Sequence, residues 1–327
     1  MFVVAIGGGT GLSTLLRGLK NHVDKEIKGL TAIVTVADSG GSTGRLRKIY
    51  QIPAPGDIRN CIVALAESED ILRSLFQYRF KGGELEGHAF GNLFLVALTE
   101  ITGSFLTAIR ISSQVLRTKG EILPATLSPV DLCAEFTDGN VVYGEEEITN
   151  YGRVHKGQRI VSIWLEPKDV TAPPEATDRI NAANLIVIGP GSLYTSIIPN
   201  LLVKDIRDAV ANSKALKVFV VNAMTQPGET DGFSAYDHVQ TFAKHTGIRP
   251  DAVVLNTKIP SDKLLKKYLE QGQEPVLADA SKIAREGYLV YADDLIGEKE
   301  DFVRHDPERL ASLLIKVYEE NATFSEV

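Results

Sequence analysis

The sequence is poor in cysteine, in aromatic residues and in long apolar runs. Only two of its 327 residues are cysteines. Cys61 and Cys133 lie far apart in no metal-binding spacing, which indicates reduced core thiols and no disulfide framework or zinc site. No apolar stretch approaches the roughly 20 residues that span a membrane, and no basic region with a small-residue cleavage site precedes the first strand. These absences predict a cytoplasmic protein with no membrane span.

Positive charge is also scarce. The chain has 35 lysines and arginines against 42 aspartates and glutamates, a net charge of −7, and no basic block. A nucleic-acid-binding surface needs such a block to neutralise phosphates, so this class of partner is not expected. Hydrophobic residues make up 44% and charged residues 24%, as in ordinary globular proteins. We expect one domain over residues 1–327 that forms a homodimer, with no sequence signal for a protein partner.

The pattern of the N-terminal segment predicts a strand, a glycine-rich loop and a helix. Residues 2–6 form an unbroken apolar run, and leucines recur at helical spacing from Leu12 to Leu19. Glycines between them let the backbone approach a phosphate, at which the first N–H groups of the helix point. Leu12 stands where the dinucleotide fingerprint has its third glycine, which disfavours an NAD-dependent oxidoreductase. The predicted ligand-binding residues of this loop are Gly7, Gly8, Gly9, Thr10, Gly11 and Leu12.

A second glycine-rich loop follows a second apolar strand at residues 30–36. It contains Asp38 and Ser39. Because the carboxyl ends of neighbouring parallel strands face one crevice, the two loops are expected to share a ligand. Asp38 is suited to hold a ribose hydroxyl, or a divalent cation against a diphosphate. The alternative is that Asp38 only caps a turn.

Polar residues follow two later strands in the same way. One strand, at residues 185–188, is followed by Gly189, Pro190, Gly191 and Ser192, and another, at residues 217–221, by Asn222. Nearer the C-terminus, Tyr268 is suited to lie against a base or sugar and Arg304 to bind a pyrophosphate. A packed ring and a structural salt bridge are equal alternatives for these two. The sequence identifies no catalytic residue.

Between the two halves of this α/β pattern lies a β-rich stretch at about residues 120–167. Short strands are predicted at residues 122–127, 131–137, 141–143 and 159–165, with a hairpin turn at residues 138–140. The acidic run at residues 145–147 is interpreted as a solvated face. The predicted fold is therefore an α/β, Rossmann-like, doubly wound and mostly parallel sheet with a β-rich subdomain.

Several motifs carry a resemblance to a known family. The chain resembles the gluconeogenesis-factor family, which shares a superfamily with the CofD-like 2-phospho-L-lactate transferases. The matching motifs are Gly-Gly-Gly-Thr-Gly-Leu at residues 7–12, Asp-Ser-Gly-Gly-Ser-Thr-Gly at 38–44, Pro-Gly-Asp-Ile-Arg-Asn at 55–60, Gly-His-Ala-Phe-Gly-Asn-Leu at 87–93, Gly-Pro-Gly-Ser-Leu-Tyr-Thr-Ser at 189–196 and Asn-Ala-Met-Thr-Gln-Pro-Gly-Glu-Thr at 222–230.

The resemblance implies a regulatory protein that binds a nucleotide sugar of the UDP-N-acetylglucosamine type. It further implies a role in cell shape and in directing carbon to the cell wall, with no obligatory cofactor. NAD and GDP are alternative ligands. The transferase relatives imply a second hypothesis, a Mg²⁺-dependent phospholactyl or phosphoryl transferase that would use Asp38 and Asp57. The second loop offers Asp38 as its sole carboxylate for such a metal.

Overall fold

The computed structural model describes residues 1–67, 70–299 and 302–322. Its strands are β1 (Phe2–Gly7), β2 (Gly29–Val34), β3 (Glu121–Pro124), β4 (Asp131–Phe136), β5 (Val141–Tyr143), β6 (Ile160–Glu166), β7 (Leu185–Ile188), β8 (Leu216–Val220), β9 (Ala252–Asn256), β10 (Leu289–Asp293), β11 (Ile296–Lys299) and β12 (Phe302–His305). Its α-helices are α1 (Gly9–Leu19), α2 (Gly41–Tyr50), α3 (Pro55–Leu65), α4 (Asp70–Gln77), α5 (Phe90–Thr102), α6 (Phe105–Leu116), α7 (Glu145–Val154), α8 (Pro174–Asn181), α9 (Ile198–Leu202), α10 (Lys204–Asn212), α11 (Ala235–Thr246), α12 (Asp262–Glu270), α13 (Ala280–Arg285) and α14 (Pro307–Ala322).

Seven parallel strands form the main sheet, in the order β10-β9-β8-β7-β1-β2-β3. Every residue of β7 is buried, as is β1 after Phe2, because helices cover both faces of the sheet. The chain leaves β1 toward β2 and β3, then returns to β7 on the other side of β1. The strand order therefore reverses between β1 and β7, where open α/β sheets bind their ligands. This confirms the predicted Rossmann-like class.

The predicted β-rich stretch is divided between two sheets. β4, β5 and β6 form a separate antiparallel sheet, but β3 pairs in parallel with β2 at the edge of the main sheet. Residues 145–154 form α7, which the sequence analysis does not predict. Its first turn holds three glutamates, which the helix dipole favours at that end. One apolar cluster runs through both sheets, from Val3 in β1 to Leu165 in β6.

The remaining elements complete the wall around the end of β1. A short hairpin, β11–β12, is followed by α14, and α14 packs against α1 so closely that a Cβ on Gly18 would lie 1.9 Å from the Pro307 carbonyl oxygen. Cys61 and Cys133 are buried and free, which confirms the prediction of core thiols. Within the described ranges, no helix is long and apolar enough to cross a membrane.

Candidate functional site

A crevice of about 340 Å³ opens at the carboxyl ends of β1, β7 and β8, beside the reversal of strand order. It is bounded by the start of α1, the loops after β7 and β8, α12 and the β11–β12 hairpin. Eighteen residues line it: Thr10, Gly11, Thr14, Pro190, Gly191, Ser192, Asn222, Ala223, Met224, Gln226, Lys267, Tyr268, Gln271, Gln273, Phe302, Val303, Arg304 and His305. Residues from five separate parts of the chain thus meet at one edge of the sheet.

The first turn of α1 supplies the backbone donors of the crevice. The first intrahelical bond runs from the Leu12 N–H to the Gly8 carbonyl, 3.3 Å away, and the N–H groups of Thr10 and Gly11 have no backbone acceptor in the described residues. An N–H pair at a helix start attracts anions. Gly11 is required by a close approach, because a Cβ there would lie 2.3 Å from the Pro190 carbonyl oxygen.

The loop after β7 is held from behind by the loop after β8. The Asn222 side chain accepts from the Gly191 N–H at 3.0 Å and donates to the Gly191 carbonyl at 2.6 Å. Both ends of its amide are therefore used by the neighbouring loop. Asn222 lines the crevice while fixing the backbone of Gly191, which is a positioning role.

A buried carboxylate, Glu229, joins three segments beneath the crevice. It accepts from the hydroxyls of Ser192 and Thr149 and from the Gln226 amide. Burial raises the pKa of Glu229. The Ser192 hydroxyl also accepts from the Thr195 N–H at 3.3 Å, so Ser192 is held in place by the residues around it. The arrangement contains no histidine partner that would activate Ser192 as a nucleophile.

The opposite wall is the β11–β12 hairpin. The Tyr268 hydroxyl accepts from the Val303 N–H at 2.9 Å and ties α12 to this hairpin. Phe302 lies half exposed, with the Arg304 guanidinium 5.1 Å from its ring centroid. Aromatic rings and a guanidinium thus face the α1 N-terminus across the crevice.

Seven of the predicted site residues do not line the crevice. Leu12 is fully buried in the core. Ser39 donates its hydroxyl to Glu147 at 3.1 Å and accepts from the Glu146 N–H, so it is tied to α7. The other five of these seven residues lie behind the crevice or beside it: Gly7, Gly8, Gly9, Gly189 and Asp38.

Asp38 lies instead in a group of carboxylates next to Gly8. Its Oδ1 accepts from the Gly40 N–H at 2.8 Å, so the turn-capping role is present. Burial raises the pKa of Asp38. Burial, with the nearby Asp38 charge, raises the pKa of Asp57 to about 7. The two carboxylates, on the second loop and on α3, approach the crevice from behind the first loop.

Glu145 belongs to the same group, contrary to its interpretation as a solvated residue. Burial and the charges of Asp38, Glu229 and Asp57 raise its pKa to about 8. The Arg59 guanidinium interacts with the charges of Asp57 and Asp38, and burial lowers its pKa to about 10. In the described part of the chain, no three His, Cys, Asp or Glu side chains are arranged to hold a metal ion. Two carboxylates remain sufficient for Mg²⁺ when substrate phosphates and waters complete its shell.

Some crevice residues have no signal in the sequence. Gln271 and Gln273 follow α12 in a polar turn without a motif. Thr14 is four residues beyond Thr10, so helical spacing from the glycine loop could have found it. Phe302 and Arg304 are two residues apart on β12 and therefore lie on the same face of the strand. This spacing could have placed Phe302 beside the predicted Arg304.

Comparison with known proteins identifies the family. Residues 3–296 match the family model described as 2-phospho-L-lactate transferase CofD. A protein of Aquifex aeolicus, provisionally named gluconeogenesis factor, is 66% identical over 97% of this chain and 96% of its own. The gluconeogenesis factor of Bacillus subtilis is 46% identical over 97% and 98%. A UPF0052-family crystal structure from Bacillus halodurans superposes with a TM-score of 0.90 at 44% identity, covering 95% of this chain and 98% of that one. The chain therefore belongs to the CofD family, among the proteins named gluconeogenesis factor.

Proposed function

We propose that this protein binds a nucleoside diphosphate sugar of the UDP-N-acetylglucosamine type in the crevice and acts as a regulatory protein. Its binding state would report on the carbon available for the cell wall, and so influence cell shape. The observation that carries the proposal is the pairing, across one crevice, of the Thr10 and Gly11 amides with the Tyr268 and Arg304 side chains. The two walls match the two chemical parts of such a ligand.

The diphosphate would lie at the α1 N-terminus. The unpartnered N–H groups of Thr10 and Gly11 would donate to its oxygens, and Arg304 would neutralise part of its charge. The half-exposed ring of Phe302 offers an apolar face for the base or sugar, and Tyr268, which is only 8% exposed and packed in an apolar cluster, supports this wall from behind. This mode of binding uses chemistry common to UDP sugars, GDP and NAD, so these three ligands are the ones to compare.

Binding without catalysis is favoured by the composition of the crevice wall. Among the described residues that line it, none is a carboxylate or a cysteine. General acid–base chemistry at a bound sugar would require such a group within hydrogen-bonding distance of the reacting atoms. The lining residues that can exchange a proton are Lys267, Tyr268 and His305, and burial lowers the pKa of His305 to about 4.

Calorimetric titration with UDP-N-acetylglucosamine, GDP and NAD, each with and without Mg²⁺, tests the proposal. We expect the UDP sugar to bind most tightly and without a metal requirement. Asn222→Ala removes both bonds to Gly191 and should weaken binding by about tenfold. Asn184→Ala is the matched control, because the Asn184 side chain likewise accepts from a backbone N–H, that of Phe2 at 2.7 Å, but does so outside the crevice, at the opposite end of the sheet. Equal affinities for the two variants would contradict the proposed site.

The carboxylate group next to Gly8 favours a second candidate function, a Mg²⁺-dependent transferase. Asp38 and Asp57 would hold the cation, which when bound supplies neutralisation of charge on a transferred phosphoryl group. Both carboxylates would act as ligands of the cation and so help to position the acceptor. A chelator would abolish such transfer, whereas binding of the UDP sugar in the crevice would persist.

A further inference from the structure

A second cavity adjoins the crevice on the far side of the β11–β12 hairpin. It encloses about 260 Å³ between α1, the hairpin and the first residue of α14. Thr14, Phe302, Arg304 and His305 line both spaces, whereas Arg17 on α1 lines the second cavity alone. The two spaces are thus neighbours that share a wall but not all their side chains.

Positive charge exceeds negative charge in this second cavity, which two arginines and one aspartate line. Arg17 is half-buried, and neither it nor Arg304 forms a hydrogen bond or ion pair with the described residues. Burial lowers the pKa of Arg17, and the nearby Arg304 charge lowers it further. Asp306 is the lining carboxylate, but its Oδ1 already accepts from the N–H groups of Glu308 and Arg309.

His305 is the second, independent sign of a ligand. It is only 7% exposed, and its Nε2 atom is buried without a hydrogen-bond partner. Buried polar atoms are almost always paired, so an orphaned nitrogen beside a cavity indicates a missing partner. With a pKa of about 4, the imidazole is neutral at physiological pH and can donate one hydrogen bond through Nε2.

We propose that the second cavity binds the phosphate group of a small ligand, between Arg17 and Arg304 with His305 beneath it. Two guanidinium groups present planar pairs of donors that match phosphate oxygens. The Thr14 hydroxyl and the His305 imidazole provide two further donors. The total number of donors suits the oxygens of a phosphate better than the two oxygens of a carboxylate. Because Arg304 faces both cavities, occupation of the second cavity changes the charge that the crevice presents to its nucleotide.

Two sources could supply this phosphate group. It could belong to a separate phosphate-bearing metabolite, which would make the cavity an effector site. It could instead be the terminal phosphate of the nucleotide in the crevice. The site itself does not depend on the proposed function, because it can be tested on the protein without nucleotide.

The experiment titrates the full chain with inorganic phosphate by calorimetry at low ionic strength. We expect the wild-type protein to bind phosphate, and Arg17→Gln to weaken binding by about tenfold or more. Arg17→Lys keeps the charge and should recover part of the affinity. Arg207→Gln is the matched control, because Arg207 is a partly exposed arginine that lines neither cavity. Thermal melts by circular dichroism establish that each variant is folded.

The outcomes of this titration test the site and distinguish the two sources of the phosphate group. No phosphate binding by the wild type, or equal binding by Arg17→Gln and wild type, would overturn the proposal. If phosphate binds and saturating phosphate weakens UDP but not UMP, the pocket receives the terminal phosphate of the nucleotide. If both nucleotides keep or gain affinity in phosphate, the ligand is a separate metabolite. Failure of all nucleotides to bind would contradict the proposed function while leaving the phosphate titration to decide on this cavity.

Discussion

Gly11→Ala lowers the free energy of unfolding by about 3 kcal/mol, whereas Gly7→Ala in the same loop changes it by less than about 1 kcal/mol. At an exposed helical position, alanine would be better than glycine by about 1 kcal/mol. At Gly11 the new Cβ would lie 2.3 Å from the Pro190 carbonyl oxygen and 2.6 Å from its carbon. Backbone atoms on both sides cannot rotate away, so α1 and the loop after β7 must separate.

Gly7, the last residue of β1, is the control because it belongs to the same glycine-rich segment but has room for a Cβ. A Cβ at Gly7 would meet its nearest neighbour, the Leu12 Cβ, at 3.5 Å, which is an ordinary van der Waals contact. Urea unfolding followed by circular dichroism measures both variants against the wild type. The separation of the two loops should also remove nucleotide binding by Gly11→Ala at temperatures where it remains folded. Equal stabilities for the two variants would show that the loops can part without cost.

The same pair of glycines shows what the sequence could and could not predict. The apolar runs and the glycines after them mark the carboxyl edge of the sheet, because strand burial and turn formation are local properties. They therefore predict that Gly11 and Pro190 lie near one crevice. Why Gly11 must be glycine depends on a contact between residues far apart in the chain, and no local pattern carries that information.

The errors in secondary structure have similar causes. In composition, strand β3 resembles the strands of the β-rich stretch that follows it. It nevertheless pairs in parallel with β2, because the helices between the two strands form the crossover that a parallel pair requires. Among these, α6 is not predicted, since its threonine, isoleucine and valine residues are weak helix formers that tertiary packing overrides. In the sequence Glu145 appears as one of three surface glutamates, and its partial burial follows from the docking of α7 against the second loop.

The carboxylates brought together by that docking make the stability of the protein depend on pH. Asp57 and Glu145 have pKa values raised to about 7 and about 8, and those of Asp38 and Glu229 are also raised. Above about pH 5, the unfolded chain has released the protons of Asp57 and Glu145, while the folded protein still holds these two. The free energy of unfolding therefore falls as pH rises toward 8, by about 1.4 kcal/mol per pH unit for each proton retained.

Asp57→Asn removes one of the groups that make the free energy of unfolding depend on pH. The amide keeps an oxygen that can accept the Gly9 N–H but carries no charge to desolvate. We expect the variant to be more stable than the wild type at pH 8, by about 2 kcal/mol, and indistinguishable from it near pH 3, where Asp57 is protonated in both the folded and the unfolded chain. Urea unfolding at four pH values between these limits measures the difference. Glu146→Gln, an exposed position on the same helix as Glu145, should leave the pH dependence unchanged.

Mg²⁺ added to the same series distinguishes the two functions proposed for this fold. A cation held by Asp38 and Asp57 binds the folded state and replaces the retained protons, so it should restore wild-type stability at pH 8 but add little at pH 5. It should have no effect on Asp57→Asn, which lacks one ligand. Restoration in the wild type alone would support the metal-dependent transferase. Stability that is independent of Mg²⁺ at every pH would contradict a metal-assisted reaction at Asp38 and Asp57. The carboxylates would then be a proton-holding group behind the crevice, for which nucleotide binding remains the proposed function.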